Sequence, residues 1–131
     1  MEPTRLFAIV SWILLPTVMF GGTSLVRLTL GGQLTPFREK AFRAGHGHAG
    51  VLLIMTLFYY HYLAQTTFSS GLQWFMCAAL VSGVLAQSGG FFLHMGVGKE
   101  NEWSAGTTVT IVGAVVMAAM LLLLAYGLAV A

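Results

Sequence analysis

The chain has 131 residues, of which 57% are apolar and only 8% are charged, and its net charge is +2. Soluble globular domains carry about 25% charged residues, so this composition excludes an ordinary soluble domain and indicates a membrane protein. The small net charge gives no reason to expect a nucleic-acid partner, and the single cysteine excludes an internal disulfide. No nucleophile elbow, phosphate loop or dinucleotide fingerprint is present, so the sequence does not decide whether the protein is an enzyme.

The distribution of charge predicts four membrane-spanning helices. Residues 6–26, 44–98 and 103–131 contain no charged side chain. A bilayer core takes about 20 apolar residues per helix, so the first and third stretches each fit one helix and the middle stretch fits two helices and a turn. We therefore predict an all-α, polytopic membrane protein, a four-transmembrane-helix up-down bundle with short loops, formed by residues 1–131 as a single domain. The predicted parts are helices over residues 5–28, 45–65, 72–94 and 105–127, with a connector over residues 29–44.

The basic residues predict the orientation of the bundle. Four of them lie in the first and third loops, whereas the opposite side carries only Arg5. The positive-inside rule then places both loops in the cytoplasm and both termini outside it, in an inner or plasma membrane. The basic residues of the two loops are Arg38, Lys40, Arg43 and Lys99.

Three histidines are expected to lie at one end of this bundle. His46 and His48 stand at the start of the predicted second helix and His94 at the end of the third. If these helices form a hairpin, its midpoint lies near residue 70, and the three side chains share nearly the same depth. A regular helix points His46 and His48 apart, because two residues correspond to 200° of helical rotation. The flanking glycines, however, would allow the segment to uncoil so that both rings turn inward.

A common depth for the three imidazoles predicts a ligand site. Haem is held by axial imidazoles, here one from His46 or His48 and one from His94. A transition metal ion would instead take all three histidines with a carboxylate, and the candidate metal ligands are His46, His48, His94, Glu100 and Glu102. The competing interpretation is that these histidines are hydrated at the membrane interface or bonded to loop carbonyl groups.

Three functions follow from this pattern. The first is a small redox protein that binds haem or a transition metal and transfers electrons. The second is a small oligomeric proton- or ion-coupled transporter or channel, with a polar pathway through Arg27, Gln87 and His61. The third is an accessory subunit without chemistry of its own. In each case the expected partners are the lipid bilayer and either further copies of the chain or a larger membrane complex.

Overall fold

The computed structural model describes all 131 residues and consists of four α-helices joined by short connections. The predicted all-helical bundle is therefore confirmed. The prediction of four membrane spans is supported in part, because three of the helices, the first, third and fourth, are long and apolar enough to cross a membrane. The helices are α1 (Pro3–Leu30), α2 (Pro36–Leu63), α3 (Ser70–Val97) and α4 (Ala105–Ala129).

Helix α2 begins well before the predicted second span. Residues 36–44, assigned to the connector from the sequence, are helical, and only a few residues separate α1 from α2. Local signals explain this start. The Thr35 hydroxyl accepts a hydrogen bond from the backbone N–H of Arg38 over 3.3 Å, and Pro36 occupies the first turn, where its missing N–H costs nothing. Glu39 and Arg43 then form an ion pair one helical turn apart.

Neighbouring helices run antiparallel. On the α1–α2 side, Phe7 lies beside Tyr60, with ring centroids 6.1 Å apart, whereas Gly22 lies beside His46 near the opposite ends of the two helices. Helix α1 packs against α2 and α3 but makes no contact with α4. The tightest contact is between α3 and α4, whose glycines allow close approach of the two backbones.

The buried core occupies the half of the bundle near the α2–α3 turn. It is formed by side chains of α2, α3 and α4, among them the fully buried Tyr60, Leu63 and Leu80. Only 24 of the 131 residues are buried, and many large apolar side chains lie on the outside, as expected of helices that face lipid. The half that carries His46, His48 and His94 contributes almost nothing to this core, and a cavity lies beside His94.

Candidate functional site

His46 and His48 leave α2 on different sides. The helix is continuous from Pro36 to Leu63, so the uncoiling considered from the sequence does not occur and the two rings point apart. The His46 ring lies against α1 at Gly21 and Gly22. A Cβ atom placed on Gly22 would lie 3.0 Å from Nε2 of His46, so the glycine pair provides the space that this imidazole occupies.

The His48 side chain faces α3. Its Nδ1 atom lies 2.7 Å from the carbonyl oxygen of Ala44, one turn earlier in the same helix. Because a carbonyl oxygen only accepts hydrogen bonds, this contact assigns the proton of a neutral imidazole to Nδ1 and leaves Nε2 as the nitrogen with a free lone pair. The ring packs on Phe91, with centroids 4.8 Å apart and planes inclined by 36°.

The His94 side chain joins the end of α3 to the start of α4. Its Nδ1 atom lies 2.7 Å from Oγ of Ser104, the residue that caps α4 by accepting the backbone N–H of Thr107. The rings of Phe37 and His94 make an edge-to-face contact, with centroids 5.2 Å apart. These contacts fix the position of the imidazole, and the Ser104 hydroxyl either accepts a hydrogen bond from Nδ1–H or donates one to Nδ1.

Two cavities lie side by side along one face of α2. The smaller, of about 180 Å³, is lined by Phe37, Lys40, Phe91, His94 and Glu100 among others. The larger, of about 420 Å³, is lined by the next turns of α2, with Arg43, Gly47 and His48 in its wall. Ala44 lines both cavities, so they adjoin at this small side chain.

The residues predicted as metal ligands do not meet at one point. His94 and Glu100 line the same cavity, but Glu102 lies 3.8 Å from Lys99 in a surface ion pair, and His46 faces α1. No group of three or more histidine, cysteine or acidic side chains is arranged to hold a metal ion. The physical reason is the unbroken helix through His46 and His48, which separates the two imidazoles.

The three residues of the predicted polar pathway lie in separate places. Arg27 is exposed on α1, and His61 is exposed at the opposite end of α2, where its ring meets that of Tyr62. Gln87 lies in the α3–α4 contact, and its Oε1 atom is buried without a hydrogen-bond partner.

Two features of the bundle were missed in the sequence, one beside the histidines and one in the buried half. The first is the face of α2 formed by Phe37, Ala41, Ala44 and His48, whose helical spacing is visible in the sequence but falls across the predicted connector. The second is a buried hydroxyl pair, Ser11 with Thr56, whose oxygens are 2.9 Å apart between α1 and α2. No sequence pattern distinguishes this pair from other hydroxyl residues of the helices.

Family models, curated proteins and solved structures were each compared with the chain, and none of them matches it.

Proposed function

We propose that this chain is a small integral membrane redox protein that binds haem or a transition metal ion through histidines at the cytoplasmic end of its bundle. In this proposal all four helices cross the membrane. The span of α2 covers residues 45–63, which corresponds to roughly 28 Å of helix, close to the thickness of the hydrocarbon core. Residues 36–44, which include the charged Arg38, Glu39, Lys40 and Arg43, then lie among the lipid headgroups, and both termini lie outside the cytoplasm.

The observation that carries the ligand proposal is the anchoring of two imidazoles through Nδ1. Nδ1 of His48 lies 2.7 Å from the carbonyl oxygen of Ala44, and Nδ1 of His94 lies 2.7 Å from the hydroxyl oxygen of Ser104. Histidines that bind metals almost always use their second ring nitrogen in this way, which fixes the ring and leaves the other nitrogen for the metal.

The chemistry of the two ligands favours haem. A closed site for a bare ion such as zinc takes four ligands from the protein, and fewer than three suitable side chains converge here. Haem needs only one or two axial imidazoles, since the porphyrin supplies the remaining nitrogens. When bound, the iron would supply one-electron chemistry, while this chain binds the macrocycle and surrounds it with apolar groups.

An electron-transfer protein needs a donor and an acceptor, so the proposal includes a partner. Large apolar side chains such as Trp12 and Phe20 of α1 are exposed, which fits contact with lipid or with another membrane helix. We expect the protein to work as a homo-oligomer or as a subunit of a larger membrane complex. Cross-linking in native membranes followed by mass determination tests this expectation.

The absorbance of the purified protein between about 350 and 700 nm, together with metal analysis, tests the ligand proposal. We expect a Soret band, or a transition metal in stoichiometric amount, that is reduced in His48→Ala and in His94→Ala. His61→Ala is the matched control, because His61 is exposed at the other end of α2. Absence of both the band and the metal from freshly isolated membranes and from reconstituted protein removes the proposal.

A second candidate function, transport of protons or ions by an oligomer, is favoured by one observation. The Oε1 atom of Gln87 is buried in a membrane-spanning helix without a hydrogen-bond partner, and polar groups in such positions often belong to an ion pathway. Flux through liposomes that is lost in Gln87→Leu would support this function. Absence of flux for protons and common ions counts against it.

A further inference from the structure

We infer that the face of α2 between Phe37 and His48 is a groove for an anionic, planar tetrapyrrole of the haem type, with a carboxylate group directed to Lys40. This inference depends on the proposed function, because it selects one of the two ligand classes proposed there and assigns it a binding surface.

The shape of the groove fits a flat ligand. Its floor is formed by small residues, Ala41, Ala44 and Gly47, which recur at helical spacing along one face. The segment from Phe37 to His48 is roughly 16 Å long, and the two adjoining cavities have volumes of about 180 and 420 Å³. The larger cavity lies within the range of about 300–1,000 Å³ that is common for cavities holding cofactors, and the smaller one lies below it, so the ligand would have to occupy both.

The walls of the groove supply apolar contact and an axial nitrogen. Phe37 and Phe91 line the smaller cavity, and the ring of Phe91 also packs on His48. His94 lines the smaller cavity and His48 the larger one, and each ring is held through Nδ1. The Nε2 atoms of these two rings, one on each side of Ala44, are therefore the axial nitrogens in this inference. Phenyl rings, alanine and glycine offer no side-chain ligand atoms to a bare metal ion, whereas they can pack against the faces of a porphyrin.

The charges at the groove suit a ligand with carboxylate groups. Lys40 lines the smaller cavity and Arg43 the larger one, and both lie in the part of α2 assigned to the headgroup region. Two acidic residues reduce the positive charge of the groove. Glu39 forms an ion pair with Arg43, and Glu100 lines the smaller cavity together with Lys40. The unpaired cation is therefore Lys40, and removal of the Glu100 charge should strengthen binding of an anionic ligand.

Titration of the purified full-length protein with haemin, followed at the Soret band, tests the inference. We expect Ala44→Leu, which fills the point where the two cavities meet, to weaken haemin binding at least about tenfold, whereas Ala118→Leu on the exposed face of α4 leaves it unchanged. Lys40→Gln should weaken haemin binding about two- to fivefold, the range expected of an exposed ion pair, and Glu100→Gln should strengthen it.

Haemin dimethyl ester, which lacks the carboxylate charges, separates the electrostatic contribution from the shape of the groove. We expect Lys40→Gln and Glu100→Gln to leave binding of the ester unchanged, and this comparison stands even if Ala44→Leu does not fold. Haemin binding that responds to none of these substitutions overturns the groove while the proposed function stands. Stoichiometric binding of Zn²⁺, Ni²⁺ or Cu²⁺ without haemin also overturns the groove and leaves the metal-ion form of the function. Binding of neither probe removes both.

Discussion

Ser11 and Thr56 form a hydrogen bond across the α1–α2 interface, inside the buried part of the bundle. Their oxygens are 2.9 Å apart, and both side chains are fully buried. Thr56 donates its own hydrogen to the carbonyl oxygen of Leu53 over 2.7 Å, so the bond between the helices is donated by Ser11 and accepted by Thr56. Helix α1 contacts only α2 and α3, and this bond is a polar interaction that links it to α2.

We expect the Ser11–Thr56 pair to contribute measurably to stability. Thr56→Val keeps the shape of the side chain and removes the acceptor, and Ser11→Ala removes the donor. A double-mutant cycle should give a coupling energy of about 0.6 kcal/mol, and at most about 1.7 kcal/mol, as found for interhelical hydrogen bonds in membranes. The free energy of unfolding, measured by circular dichroism during titration with a denaturing detergent, provides the values.

Thr23→Val is the matched control for this cycle. Thr23 is exposed on α1 and donates only to the carbonyl oxygen of Met19 in its own helix, over 3.5 Å. We expect this substitution to change stability little. A coupling energy of zero for Ser11 and Thr56 would mean that the pair makes no net contribution to the attachment of α1.

At the scale of helices, the glycines of α3 and α4 determine the closest contact in the molecule. A Cβ atom on Gly90 would lie 2.6 Å from the carbonyl oxygen of Gly106, and one on Gly113 would lie 2.6 Å from that of Gly83. The four glycines therefore form two facing pairs in an antiparallel contact. Close approach of backbones replaces the hydrophobic driving force that is absent between helices in lipid.

Gly90→Ala should separate α3 from α4 and destabilise the bundle. The added methyl group meets backbone atoms of α4, which cannot move aside as a flexible side chain can, and such overpacking costs about 1–3 kcal/mol. The neighbouring substitution Gly89→Ala is a close control, because a Cβ atom there meets nothing within 4 Å. It should be neutral or stabilising by roughly 0.5–1 kcal/mol through the helix preference of alanine.

The unfolding titration described for Ser11 and Thr56 also measures this difference. Equal free energies of unfolding for the Gly89→Ala and Gly90→Ala proteins would contradict the prediction, because they would mean that α3 and α4 can move apart without loss of stability.

The helices show how far the sequence determines this fold. Charge-free stretches were sufficient to predict four helices. The seven-residue spacing of Gly83 and Gly90 also places both on one face of α3, and this is the face that meets α4. The start of α2 was not recovered, although Thr35 and Pro36 are helix-start signals, because the charges that follow resemble a loop in composition.

The candidate site was less accessible to prediction than the helices. The positions of His46, His48 and His94 at one end follow from the hairpin, but the direction of each ring depends on whether α2 uncoils at its glycines. Competition between a continuous helix and a glycine-rich break is decided by packing, here against Gly22 and Phe91. The cavity at His94 is made by α2, the end of α3 and the following loop together, so no local pattern reveals it.

At the scale of the whole molecule, the charge distribution separates the two ends of the bundle. One end carries Arg27, Lys99 and the three basic residues of the first turns of α2, and the other carries Arg5. Three acidic residues at the same end partly offset these charges, and two of them pair with Arg43 and Lys99. Since lysine and arginine, and not net charge, set orientation in membranes, the end with His46, His48 and His94 is expected in the cytoplasm.

Single cysteines in the three loops test whether α2 crosses the membrane and which end is cytoplasmic. We expect Thr67→Cys, in the α2–α3 connection, to react with a membrane-impermeant maleimide in intact cells, and Gln33→Cys and Glu102→Cys to react only after permeabilisation. All three positions are exposed, and the unsubstituted chain is the control because its only cysteine, Cys77, is fully buried. Labelling of Gln33→Cys and Thr67→Cys from the same side would show that α2 does not span the membrane. Labelling of Gln33→Cys and Glu102→Cys from outside, with Thr67→Cys protected, would keep the four spans and reverse the orientation, which would place the histidines at the outer surface.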